Sequence, residues 1–177
     1  METISRQYLA EQVKLHENPS YGISSIGFAP LVADIINHMS PQTVTDYGAG
    51  KCHLKKTLDS LGVDGYQYQP FDPAFPEYGL ALVADLVCCI DVLEHIEPHL
   101  LDNVLSDLAR ITKKIGFFSI HTGPALKHLS DGRNAHLIQK PEAWWQAKLN
   151  NFFTVGHLEK HEHLGSGCSV VVGPKSS

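Results

Sequence analysis

Long apolar runs, a surplus of basic charge and paired cysteine spacings are all missing from this sequence. No stretch approaches the roughly 20 consecutive apolar residues needed to span a bilayer. Met1 to Ala10 holds Glu2, Arg6 and Gln7 where a secretory leader would be apolar. Neither membrane insertion nor a signal peptide is expected. Lys and Arg number 14 against 19 Asp and Glu, a formal charge of -5, so charge gives no support for phosphate-backbone binding as the main activity. Cys52, Cys88, Cys89 and Cys168 show no C-x-x-C spacing, and Cys88-Cys89 lies in an apolar run where cysteine acts as a small hydrophobe. That usage fits a reducing compartment, and a cytoplasmic protein is expected. The 11 histidines form no zinc spacing. His161-Glu162-His163 lacks a third ligand at helical spacing and reads as a solvated loop between strands, so no metal is expected. Internal repeats and low-complexity stretches are absent.

What is present is enough for one domain: 177 residues, 43% of them hydrophobic. Ile4, Tyr8 and Val13 have loose helical spacing. Asn18 to Gly22 has loop composition. A helix is expected from about Pro30, with Leu31, Ile35, Ile36 and Met39 on one face, ending at Ser40-Pro41. Residues 1-40 then form a helical cap on a core of residues 41-177. Thr43 to Tyr47 reads as a strand, Leu54, Leu58 and Leu61 as a helix, and Tyr66 to Phe71 as the next strand. Residues 73-84 are a short connection. Asp85 to Asp91 is a continuous apolar strand with an acid at each end, as in a parallel sheet buried on both faces. Leu100, Leu101, Val104, Leu105, Leu108 and Ile111 mark the clearest amphipathic helix. Ile115 to His121 is another strand, Pro141 starts a short helix, and Phe152 to Leu158 and Ser169 to Val172 are two closing strands. The alternation predicts an α/β layered fold.

Asp46-Tyr47-Gly48-Ala49-Gly50 runs from a strand into a helix. Glycine there allows a tight turn and close approach of a ligand, and the helix start offers free N–H groups. The same turn also serves as a plain strand-to-helix junction. Asp72, at the end of the next strand, is placed to accept hydrogen bonds from a ribose diol, or to cap a turn with Pro73. The strand 85-91 delivers Asp91 and Val92 to the carboxyl edge of the sheet, where open α/β sheets bind ligands. Glu94 and His95 follow.

These segments, in this order, resemble the class I S-adenosylmethionine-dependent methyltransferase family, and Asp91-Val-Leu-Glu-His-Ile96 is typical of members acting on small molecules. The resemblance covers about residues 30-120. It implies a Rossmann-like three-layer sandwich, mostly parallel with an antiparallel closing strand, and S-adenosyl-L-methionine as cofactor. It places Asp46, Gly48, Ala49 and Gly50 around the methionine moiety, Asp72 and Pro73 at the ribose, and Asp91 and Val92 near the reaction site. Two departures stand out. The family's third glycine is Cys52 here. Residues 73-84 leave no room for the family's next helix and strand, so the third strand and helix are reduced, and Ala84 and Asp85 are the adenine candidates by position alone.

The acceptor site is expected on the polar loop after the strand ending at His121. Tyr21 from the N-terminal loop closes over the methyl-donor end in this reading. His136, His121 and Asp91 are the candidate catalytic groups, with imidazole suited to proton removal. Arg133, Asn134 and His95 are the candidate substrate contacts. Arg133 and Asp131 also suit a plain surface pair, and Asn134 a turn. The expected reaction is methyl transfer to an O or N atom of a small polar or sugar-like acceptor. The alternatives are a non-catalytic cofactor-binding or regulatory protein and a nucleic-acid methyltransferase. The second lacks the Asn/Asp-Pro-Pro-aromatic string used on base amino groups. An NAD enzyme would need glycine at His53. The chain is expected to be a monomer or a homodimer, with no membrane partner and nucleic acid disfavoured.

Overall fold

Six strands form one sheet: β1 (Thr43–Tyr47), β2 (Gln67–Phe71), β3 (Ala84–Ile90), β4 (Thr112–His121), β5 (Phe153–His161) and β6 (Gly167–Pro174). Their spatial order is β2-β1-β3-β4-β6-β5. β1 to β4 are parallel to one another, and β6 runs antiparallel to both β4 and β5. This computed structural model describes residues 1–161 and 166–175.

Side-chain alternation along β3 divides the core in two. Leu86, Cys88 and Ile90 face one layer, with helices α2 (Ser24–Met39) and α3 (His53–Ser60). Val87 and Cys89 face the other, with α4 (Leu101–Ile111) and α5 (Glu142–Leu149). Every residue of β3 is buried, as its unbroken apolar run requires. Both cysteines are free and act as small core residues. Only a short 3₁₀ turn, Pro76–Tyr78, occupies the interval before β3. β2 is therefore the edge strand, and Pro70 within it removes a donor that an inner strand would need.

Helix α2 corrects the expectation of a start at Pro30. It begins at Ser24, with no side-chain cap, and Pro30 lies inside it. The buried face is Phe28, Ala29, Val32, Ala33 and Ile36, while Leu31 and Met39 are exposed. Within residues 1-40, α2 packs on the sheet and α1 (Arg6–His16) lies elsewhere, over the carboxyl edge. His161 is also corrected: it is buried as the last residue of β5. Glu162 and His163 lie outside the described residues.

Cys52, standing where the family has glycine, adopts a left-handed conformation at φ 56°. An L side chain costs roughly 1–2 kcal/mol there. Its thiol lies 3.4 Å from the Tyr78 hydroxyl, a weak compensation. Cys52→Gly is expected to raise stability by roughly 0.5 kcal/mol, after the entropy cost of glycine is subtracted. Urea unfolding measures it. A clear loss of stability would mean that the thiol contact outweighs the backbone strain.

Candidate active site at the carboxyl edge of the sheet

The carboxyl ends of β1, β2 and β3 open into one cavity of about 360 Å³, within the range of small-molecule sites. Its floor includes Asp46, Gly48, Ala49, Asp72 and Pro73, and its far wall includes Asp91, Val92, His95, His121 and His136. Two segments distant in sequence roof it. One is α1 with the following loop, contributing Tyr8, Gln12, His16 and Tyr21; the other is the loop after β4, contributing Pro124 to Lys127 and Ala135.

The glycine turn is shaped for close approach. Gly48 has φ +83°, and a Cβ there would sit 2.3 Å from Val92 Cγ2. Asp72 braces the turn from β2. Its carboxylate accepts the Gly50 N–H at 2.9 Å and the Ala74 N–H at 2.8 Å. Gly50 itself is buried behind Asp72 and does not border the cavity. Tyr78 donates to the Gly50 carbonyl and stacks on Phe75 at 5.3 Å, so the short 73-84 segment supports the turn. Ala84 and Asp85 are not adenine contacts. They begin β3 at the opposite edge, where Asp85 accepts from Gln42 N–H and faces Lys113 and Lys114.

Asp46 is buried, and desolvation pushes its carboxyl up to about 7 despite the hydrogen bond donated by Tyr68 at 2.5 Å. A carboxyl whose folded pKa lies above the unfolded value near 3.9 binds its proton more tightly when folded. The folded state is therefore expected to lose stability from this group as pH rises from about 4 to about 7. The loss is on the order of a few kcal/mol. Asp46→Asn, which keeps an acceptor for Tyr68, flattens that slope in denaturant titrations. An identical pH profile in the variant would show that Asp46 does not titrate in this window.

The far wall rests on a tight turn. Asp91 has φ +52° and is pinned by Ser119, which accepts its N–H at 3.0 Å and donates to its carboxylate at 2.7 Å. The 3₁₀ turn Leu93–His95 then points back under the loop after β4. Glu94 is fully buried; its carboxylate accepts His121 N–H at 2.9 Å, and its carbonyl accepts Ile138 N–H at 2.9 Å. Desolvation, then the Asp91 charge, holds its pKa well above the carboxylate range. His95 and His136 each bond through Nδ1 to a carbonyl, of Ala135 at 2.9 Å and Gly123 at 2.8 Å. Desolvation pushes His95 down to about 3 and lowers His136 as well, so both are neutral at neutral pH. His121 is different: its Nδ1 accepts the Gly123 N–H at 3.1 Å.

The roof is tied to the wall. Ser5 donates twice to Glu97, Tyr8 donates to the His95 carbonyl, and Glu11 accepts from Ser130. Tyr8, Leu129 and Ala135 form a small separate core between α1 and the loop. Tyr21 packs edge-on against His16 and His95.

Of the residues singled out in the sequence, the cavity brings together Tyr21, Asp46, Gly48, Ala49, Asp72, Pro73, Asp91, Val92, His95, His121 and His136. It does not bring in Arg133 or Asn134. Arg133 is exposed and paired with Asp131 two residues away. Asn134 spends its amide on Ala125 and the His136 N–H, shaping the loop. Sequence reasoning missed Gln12 and His16. The i, i+4, i+8 spacing of Tyr8, Gln12 and His16 was the available signal. His16 Nε2 reaches to 3.9 Å from Asp72.

The fold is that of class I S-adenosylmethionine-dependent methyltransferases. A Burkholderia thailandensis 1,6-didemethyltoxoflavin-N1-methyltransferase, solved with bound 1,6-didemethyltoxoflavin and S-adenosylhomocysteine, superposes with TM-score 0.66 over 99% of this chain and 92% of its own, at 14% identity. The mitomycin 7-O-methyltransferase MmcR gives TM-score 0.68 over 96% of this chain and 60% of its own, at 16% identity. The magnesium protoporphyrin IX methyltransferase of Synechocystis, bound to S-adenosylhomocysteine, gives 0.57 over 96% and 95%, at 11% identity. No family model and no curated protein sequence matches the chain.

Proposed function

We propose that this protein is an S-adenosylmethionine-dependent methyltransferase acting on an O or N atom of a small polar or sugar-like acceptor. One observation carries the reading. A single cavity is lined on one side by the glycine turn and Asp72, and on the other by Asp91 and an imidazole cluster. The residues fit the cofactor. Gly48 borders the cavity at φ +83°, where a side chain would collide with Val92 on the opposite wall. Buried Asp46 accepts a hydrogen bond from the Tyr68 hydroxyl, has no ion pair among the described residues, and is suited to an ammonium group. Asp72 keeps lone pairs beyond its two backbone bonds for a ribose diol. The bound cofactor supplies the electrophilic methyl group.

This chain's residues align the acceptor and exclude water. Methyl transfer breaks the sulfur–carbon bond, leaving its electron pair on sulfur, and forms the bond from carbon to the acceptor atom. A hydroxyl acceptor must also lose one proton. His95 and His136 are neutral and have Nε2 lone pairs; His121, whose Nδ1 is already accepting, offers Nε2–H as a donor instead.

The test is transfer of a tritiated methyl group from S-adenosylmethionine to a panel of hydroxylated and amino sugars, phenols, amino acids, RNA and DNA. Label on a small polar acceptor is the expected result. Label confined to nucleic acid would replace the acceptor class. Cofactor binding with no transfer to anything would favour the non-catalytic alternative.

A further inference from the structure

Three side chains that can each offer a ligand atom meet beneath the loop after β4. Glu94 Oε2 is buried and has no hydrogen-bond partner among the described residues. A carbonyl only accepts, so the bonds to Ala135 and Gly123 fix the N–H of His95 and His136 on Nδ1 and leave each Nε2 with a lone pair. One ligand atom from each of Glu94, His95 and His136 lies within 4.8 Å of the others. A divalent cation can take all three as ligands, with Glu94 bound as the carboxylate.

We infer that Glu94, His95 and His136 bind a divalent first-row transition cation that holds the acceptor oxygen beside the methyl donor. The ligand set is two imidazoles and a carboxylate, suited to zinc, cobalt or manganese rather than magnesium or calcium. The Nδ1–H bonds to carbonyls are the supporting contacts that orient imidazole in metal sites. Ligands at about 2.0–2.2 Å from the ion require the three donors to draw in by roughly an ångström. Three protein ligands leave at least one position open for an acceptor hydroxyl. Its coordinated oxygen releases its proton to solvent near neutral pH, then forms the bond to the methyl carbon. Both Nε2 lone pairs are committed to the ion, so no imidazole base is needed. The role of the ion rests on the methyltransferase reading; its binding does not.

The experiment uses untagged, chelator-stripped full-length protein. Cobalt is titrated in while its visible absorption is followed, with zinc as a competitor. The expected result is stoichiometric one-to-one binding with a band characteristic of imidazole and carboxylate ligation, displaced by zinc and not by magnesium. Glu94→Gln and His136→Gln each weaken binding at least about tenfold, whereas Asp72→Ala leaves it intact. Circular dichroism confirms that each variant is folded, and His95→Asn stands in for Glu94→Gln if that one is not. No band in the wild type, or a band that survives His136→Gln, overturns the site. S-adenosylhomocysteine affinity is measured on the same samples, so loss of the cofactor reading and loss of the metal reading are separately visible.

Discussion

Gly48→Val is expected to abolish S-adenosylhomocysteine binding, weakening it by at least about a hundredfold, or roughly 2.8 kcal/mol. Two effects act in the same direction. The first is conformational. Gly48 has φ +83°, a region that costs an L residue roughly 1–2 kcal/mol and a branched one more. The second is steric. A Cβ at this position meets Val92 Cγ2 at 2.3 Å and Cγ1 at 3.3 Å. Both residues border the cavity, so any relief moves a wall or fills the space. Gly48→Ala combined with Val92→Ala removes the clash and keeps the backbone strain, and it should recover part of the affinity. Calorimetry on variants shown to be folded measures both. Unchanged affinity in folded Gly48→Val would reduce the turn to a strand-to-helix junction.

Asp72→Ala is expected to lower cofactor affinity by about 1–3 kcal/mol, the scale of charge-assisted hydrogen bonds. The structure adds a second consequence. The carboxylate also holds the N–H groups of Gly50 and Ala74, so its removal loosens the turn and lowers stability by roughly 1–3 kcal/mol. Asp72→Asn keeps one acceptor and should fall between. The two effects separate in experiment: denaturant unfolding reports the brace, and S-adenosylhomocysteine titration reports the ribose contact. A stability loss with no change in affinity would leave Asp72 as a turn-capping residue.

How much of this was legible follows from which signals are local. β3 announced itself as an unbroken apolar run, and α4 by its spacing, because a strand buried on both faces and a one-sided helix each impose their own period. The reduced third unit was legible because residues 73-84 are too few to hold one. The start of α2 was not, since Ser24 follows Ile23 with no capping side chain and Pro30 sits in the helix interior. Tyr21 and His136 were placed near one another by topology, and both border the cavity. Arg133 was attractive for its charge, but Asp131 is only two residues away and satisfies it at the surface. Glu94 was legible as part of the residue 91-96 string, but its role was not. Its meaning comes from complete burial and from partners brought in by the loop after β4, and a long-range contact of that kind has no local pattern.

The most direct single measurement is calorimetric titration of S-adenosylhomocysteine into the wild-type chain, repeated with Gly48→Val and Asp72→Ala. A cofactor site at the carboxyl edge requires saturable one-to-one binding in the wild type, weakened by Asp72→Ala and lost in Gly48→Val. Absence of binding to the folded wild type at millimolar ligand, or binding that neither substitution alters, would contradict it.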